Sequence, residues 1–202
     1  MGNSSTAELI NDFLGSTQVF ASSVNRVIEE QLLRDVGPRQ LTFSQFRLLK
    51  LVALTDAQTI GDVAAFLGVS NAAASKAVDK LVRQGLLVRA EAQADRRVIQ
   101  LSLTDSSRRL LAAYDEAKDR KLAGVFRAFS PQDLRRTAEF LDRLSAGLVD
   151  HTAKPEELCL QCGIYYRKNC LVRRMLRRSC FYHRRKGGAV RRPTAERGNG
   201  SR

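Results

Sequence analysis

All four cysteines of the chain lie in one short stretch near its C-terminus, at the spacing Cys-x2-Cys-x7-Cys-x9-Cys. Four thiolates can bind zinc tetrahedrally or hold an iron–sulfur cluster. Structural zinc sites usually take their ligands as two close pairs, whereas clusters accept ligands from scattered points. Because one close pair is followed here by two widely spaced cysteines, the pattern favours an iron–sulfur cluster of the 4Fe–4S type over zinc. The candidate ligands are Cys159, Cys162, Cys170 and Cys180.

Three other roles remain open for these cysteines. A disulfide scaffold suits an oxidising compartment, whereas cytoplasmic thiols stay reduced. A thioredoxin-like Cys-x-x-Cys belongs near a βαβ pattern, which the sequence lacks. Four incidental buried cysteines are the last alternative, and their clustering argues against it. A metal or cluster site is therefore the preferred hypothesis.

The positive charge of the chain is concentrated around and beyond the cysteines. Residues 151–202 contain 14 Lys and Arg against 3 Asp and Glu, whereas residues 1–150 contain 20 against 18. Such a tail attracts polyanions, nucleic acid among them. Residues 184–202 contain too few apolar side chains to fold, so we expect a disordered end. No apolar run approaches the roughly 18 residues of a membrane span, and no signal-peptide pattern is present. We expect a cytoplasmic protein with no membrane partner.

The elements before the cysteines are predicted to be mainly helical. A long amphipathic helix is predicted over residues 6–34, behind the capping box Ser5-x-x-Glu8, with Gly15 as a weak point. Its length favours packing of one part against another chain. Further predicted elements are helices over 42–54, 59–67, 71–84, 105–128 and 131–149, and strands over 86–91 and 97–103.

A winged helix-turn-helix follows from the order of these elements. Two helices joined by residues 68–70 form a helix-turn-helix, and the hairpin after them forms the wing. The N-terminal residues of the second helix can enter a major groove of DNA, and the hairpin tip can reach the flanking minor groove. A plain packed helix is the alternative interpretation of the alanine-rich stretch SNAAASKAVDKL.

The side chains at the start of the second helix and at the hairpin tip are of types that bind DNA. Ser70, Asn71, Ser75 and Lys76 are polar or basic groups on the groove-facing side. The side chains on this surface are small at Ala72, Ala73 and Ala74. DNA can therefore approach closely, and one of these alanines can contact a thymine methyl. At the wing tip, Arg96 and Arg97 suit phosphates or a narrow minor groove, and Asp95 is placed to hold an arginine in position. Val78, Leu81 and Val82 are expected to face the core.

Three segments resemble the MarR family of multiple-antibiotic-resistance regulators, over about residues 5–149. They are LTFSQFRLLKLVA, TIGDVAAFLGVSNAAASKAVDKLVRQGLLVR and DRRVIQLSLT. The resemblance implies a homodimer with interlocked terminal helices, bound to a pseudo-palindromic operator in double-stranded DNA, usually as a repressor released by a small-molecule ligand or by oxidation. It implies that Asp95 and Arg97 form a wing pair. The implied groove readers are Ser70, Asn71, Ala72, Ser75 and Lys76.

The sequence thus predicts a mainly α fold with a small β-hairpin wing, in which a winged helix-turn-helix is flanked by N- and C-terminal dimerisation helices. The expected divisions are a dimerisation helix (1–36), the DNA-binding domain (37–104), further dimerisation helices (105–150), the cysteine segment (151–183) and the basic tail (184–202).

The predicted function is a DNA-binding regulator modulated by the cluster or by a ligand. A regulator with structural zinc and small-molecule sensing is the first alternative. The others are a thiol or iron–sulfur redox protein and a basic nucleic-acid-binding adaptor. Because no Gly-rich phosphate loop, nucleophile elbow or His/Asp arrangement is present, we do not expect an enzyme.

Overall fold

The computed structural model describes residues 5–55, 59–91, 99–148, 165 and 170. This part is mainly helical, with a two-stranded antiparallel hairpin. None of its helices is long and apolar enough to cross a membrane. The elements are α1 (Thr6–Ser23), a π-helix (Val24–Gln31), α2 (Leu32–Val36), α3 (Phe43–Thr55), α4 (Ile60–Leu67), α5 (Asn71–Arg83), β1 (Leu87–Glu91), β2 (Ile99–Leu103), α6 (Asp105–Phe126) and α7 (Pro131–Leu148).

The helix starts agree with the sequence prediction because side chains cap them as expected. At α1, the Ser5 hydroxyl accepts a hydrogen bond from the Glu8 amide, and the Glu8 carboxylate accepts one from the Ser5 amide at 2.7 Å. Thr42 with Gln45 and Thr59 with Asp62 make the same reciprocal pairs. Each cap satisfies backbone N–H groups that have no partner within the helix.

The first helix departs from the prediction in its middle. The chain stays helical through Gly15, so this glycine does not interrupt the helix. The change comes later, at residues 24–31, which form a π-helix before α-helical geometry returns in α2. A π-helix widens the backbone by one residue per turn and often marks a functional position.

The core lies under the helix-turn-helix, where α3, α4, α5 and the hairpin meet α2 and α6. Phe46, Phe66 and Tyr114 are its largest fully buried side chains, and the rings of Phe46 and Tyr114 are 4.4 Å apart between centroids. Leu49 and Val52 of α3 are also fully buried. By contrast, α1 and α7 leave large apolar side chains exposed in this chain, among them Leu9, Ile10, Leu14, Phe20, Phe140 and Leu148.

Candidate nucleic-acid interface

The turn of the helix-turn-helix depends on Gly68. This residue ends α4 with φ 64° and ψ 32°, a left-handed conformation that favours glycine. The amide of Val69 then donates to the Ala64 carbonyl at 3.1 Å. Ser70 begins α5, and its hydroxyl accepts a hydrogen bond from the Ala73 amide at 3.2 Å. The chain therefore reverses within residues 68–70, and the N-terminus of α5 is held at the surface.

One face of α5 is buried and thereby fixes which residues point outward. Ala74, Val78 and Leu81 are fully buried, at the i, i+4, i+7 spacing of a helical stripe. The expectation for Val78 and Leu81 is confirmed. The expectation for Ala74 was wrong, because this alanine begins the buried stripe and is not on the outer surface with Ala72 and Ala73.

The opposite face presents the predicted groove readers. Ser70, Asn71, Ala72 and Lys76 are exposed, whereas Ser75 is half-buried beside the stripe. No acidic side chain lies in the first turn of α5, where the helix dipole adds partial positive charge. This end of the helix is therefore suited to contact a polyanion such as DNA.

The base of the wing is tied to α5 by contacts that the sequence analysis missed. A guanidinium nitrogen of Arg89 in β1 lies 2.7 Å from a carboxylate oxygen of Asp79 in α5. At the open end of the hairpin, where β1 begins and β2 ends, the Thr104 hydroxyl donates to the Gly85 carbonyl at 2.8 Å. No local sequence pattern predicts the Arg89–Asp79 pair, because it depends on how β1 returns along α5.

Several predicted site residues lie outside the described residues. Asp95, Arg96 and Arg97 fall between β1 and β2 in the sequence, and the described strands pair from Leu87 with Leu103 to Glu91 with Ile99. Of the cysteines, Cys170 alone is described, and it is half-buried. In the ranges that the structure describes, no group of three or more His, Cys, Asp or Glu could hold a metal ion. The remaining predicted ligands, outside those ranges, are Cys159, Cys162 and Cys180.

A second polar cluster lies where the π-helix meets α3 and α6. Burial raises the pKa of Glu29 in the π-helix, and the charge of Arg47 in α3 opposes that shift. Burial, together with the proximity of Tyr165 and Glu29, raises the pKa of Tyr114 far above its usual range. Burial also raises the pKa of Tyr165, and Glu29 adds to this effect. We call Glu29, Arg47, Tyr114 and Tyr165 the junction cluster.

Residues 39–98 match the model of the MarR family. These residues include the helix-turn-helix and the whole exposed start of α5. This part of the chain resembles a MarR-family domain. MarR-family proteins are winged-helix DNA-binding transcription factors without enzymatic activity, so the prediction that this chain is a DNA-binding regulator and not an enzyme agrees with the match. The matched region ends before the first cysteine.

Individual relatives extend over more of the chain. The transcriptional regulator AdcR of Streptococcus pneumoniae serotype 2 strain D39 is 28% identical over 141 residues, which span 68% of this chain and 94% of AdcR. The solved structure of a MarR family protein from Bacillus stearothermophilus has a TM-score of 0.59 at 18% identity, covering 73% of this chain and 100% of that one. The crystal structure of Streptococcus pneumoniae FabT in complex with DNA has a TM-score of 0.58 at 22% identity, covering 70% of this chain and 96% of the FabT chain. At these identities the two structures show the fold, which is the one predicted.

Proposed function

We propose that this chain is a homodimeric repressor that inserts the start of α5 into the major grooves of a pseudo-palindromic operator. The observation that carries the proposal is the exposed first turn of α5, which lacks acidic side chains and is held outward by the buried stripe on its other face. FabT, which has a similar fold, was crystallised in complex with DNA, and this supports a DNA-binding role for the present chain.

The exposed side chains divide into different kinds of contact. The amide of Asn71 can bind both the acceptor and the donor of an adenine edge. Lys76 can neutralise a phosphate, and the Ala72 methyl can contact a thymine methyl. Ser70 and the half-buried Ser75 can donate to either base or phosphate oxygens. Asn71 is the one side-chain amide in this set, and an amide can make two hydrogen bonds to one base. We therefore expect Asn71 to contribute most to base discrimination.

The homodimer is supported by the apolar side chains that α1 and α7 leave in contact with water. Leu9 and Phe140 are about half exposed, and Leu148 is 80% exposed. The two helices already touch within one chain, since the rings of Phe13 and Phe140 meet edge to face at 5.5 Å. A second copy would bury this surface and place two copies of α5 about one DNA turn apart, roughly 34 Å.

A duplex library with a randomised centre tests DNA recognition. The full chain should enrich a two-fold related sequence at about 150 mM salt, and Asn71→Ala should lower affinity for the enriched duplex by about 1–3 kcal/mol. Lys121→Ala, at an exposed lysine of α6 outside the helix-turn-helix, is the control and should bind like the wild type. Failure to enrich any sequence would contradict the proposal.

We further propose that a 4Fe–4S cluster on Cys159, Cys162, Cys170 and Cys180 modulates DNA binding, with structural zinc on the same thiolates as the alternative. The clustering and spacing of the cysteines support the site. Anaerobic purification with iron, sulfide and zinc analysis distinguishes the two metals. About four irons per chain support the cluster, and one zinc supports the alternative. Cys162→Ser should abolish cofactor binding and change operator affinity; unchanged affinity would exclude a sensor role.

A small-molecule effector is the second candidate signal, and Arg47 favours it. Within the part of the chain that the structure describes, the buried Nε and Nη2 atoms of Arg47 have no hydrogen-bond partner. Buried donors without acceptors are costly, and a carboxylate is the acceptor that a guanidinium binds best. Benzoate, used as a simple aromatic carboxylate, should raise the melting temperature of the wild type and not of Arg47→Gln. Equal shifts in both proteins would exclude this position.

A further inference from the structure

Tyr165 lies far from the helix-turn-helix in sequence but packs against its core. It follows the last residue of α7, Leu148, by 17 positions, yet it is partly buried against the main hydrophobic cluster. Its electrostatic neighbours are Glu29 in the π-helix and Tyr114 in α6. The side chain therefore reaches the place where the N-terminal helix joins the domain that carries α5.

The π-helix gives this place its particular shape. Ile28 is buried and the adjacent Glu29 is half-buried, so two consecutive side chains turn toward the body of the protein. The Ile28 carbonyl accepts a hydrogen bond from the Tyr114 hydroxyl at 2.7 Å. The amide of Leu32 bonds instead to the Val27 carbonyl, as the wider helix requires. A side chain that packs beside Glu29 therefore contacts the π-helix close to the residues that bind it to α6.

The cysteines are within a short length of chain from this contact. Cys162 precedes Tyr165 by three residues and Cys170 follows it by five. Three and five extended residues span at most about 11 and 18 Å. Cys170 is itself half-buried.

We propose that Tyr165 docks onto the junction cluster and thereby holds the chain that follows α7 against the π-helix and α6; we call this contact the strap. The occupant of this surface is the side chain of Tyr165. A conformational change at Cys170 that displaces Tyr165 would therefore alter the contacts of the π-helix. The contact itself is independent of the proposed function, whereas its effect on DNA binding rests on that function.

Hydrogen exchange in the full-length protein tests the strap. Replacing Tyr165 by Ala should raise the exchange rate of backbone amides in residues 24–31 at least fivefold, because the covering ring is lost. Tyr165→Phe keeps the ring and should leave those rates at the wild-type level. The backbone amides of α5, Asn71–Arg83, provide an internal control for folding, and their exchange rates should not change. Unchanged rates over residues 24–31 in Tyr165→Ala would overturn the proposal.

Two further readouts separate the strap from the proposed function. Alkylation of Cys170 by N-ethylmaleimide, followed by mass spectrometry, should be at least fivefold faster in Tyr165→Ala than in Tyr165→Phe; equal rates would overturn the docking. Affinity for the duplex enriched by the wild type should differ at least fivefold between these variants, and equal affinities would overturn the coupling. If the wild type enriches no duplex, the proposed function fails while exchange and alkylation still decide the strap.

Discussion

The Tyr114 hydroxyl donates a buried 2.7 Å hydrogen bond to the Ile28 carbonyl, 86 residues earlier in the chain. It joins α6 to the middle of the π-helix. The raised pKa of Tyr114 keeps this phenol protonated, so the hydroxyl remains a donor at every physiological pH. The bond gives a main-chain carbonyl of the π-helix a side-chain donor from α6.

Removing that hydroxyl should destabilise the protein. Tyr114→Phe keeps the ring against Phe46 but removes this buried hydrogen bond, which should cost about 0.5–1.5 kcal/mol in the free energy of unfolding. Urea unfolding measures the loss, and hydrogen exchange should show it concentrated in residues 24–31. A variant as stable as the wild type would mean that water or another donor replaces the hydroxyl.

Acid should weaken the attachment of α6 to α3. Burial alone would raise the pKa of Asp115, but the hydrogen bonds and charges of Lys50 and Lys118 outweigh it, so the pKa lies below 3.8. A lowered folded-state pKa contributes stability above the unfolded value, and this contribution is lost as the pH falls through the folded value. Asp115→Asn should therefore cost about 0.5–1 kcal/mol near neutral pH, since the carboxylate is 43% exposed and screened.

The difference between Asp115→Asn and the wild type should vanish in strong acid, where both side chains are neutral. Glu116→Gln is the matched control, since its partner Arg120 is on the same exposed face. It should change the free energy of unfolding by less than about 0.5 kcal/mol at neutral pH. A pH-independent loss in Asp115→Asn would indicate a packing effect and not a charge effect.

Breaking the Arg89–Asp79 pair should weaken DNA binding more than it weakens the fold. Both side chains are more than a third exposed, so stability should change by less than about 1 kcal/mol. The pair fixes the base of the wing to α5, and Arg89→Ala should therefore lower affinity for the enriched duplex about three- to tenfold, or roughly 0.7–1.4 kcal/mol. The exchanged pair Asp79→Arg with Arg89→Asp should recover most of the loss; no recovery would show that Arg89 contacts DNA itself.

The salt dependence of binding should identify Lys76 as a phosphate contact. Its removal should reduce the slope of log affinity against log salt concentration by about 1. Asn71→Ala should lower affinity for the enriched duplex without changing that slope, because it removes a base contact. If Lys76→Ala leaves the slope unchanged, then α5 does not approach the backbone at this position.

Local sequence signals were sufficient for the helix starts and for the reading helix. Ser5, Thr42, Thr59 and Ser70 precede their helices and bind backbone amides within the next three residues, so short-range chemistry alone determines them. The apolar spacing of Val78 and Leu81 likewise determined which face of α5 is outward, and the order of helices and strands was enough to predict a winged helix.

Tertiary structure decided what depends on distant partners. Ala74 lies four residues before Val78, but alanine is compatible with either face of a helix, so the packing of α5 on the core decided that this residue is buried. The Arg89–Asp79 pair, the π-helix with its Tyr114 hydrogen bond, and the position of Tyr165 beside Glu29 all join residues that are separated in sequence. No periodicity encodes such pairs, because each depends on how elements already formed pack together. The sequence therefore determined which face of α5 is exposed, and the packing of distant elements determined the contacts that hold the helix in place.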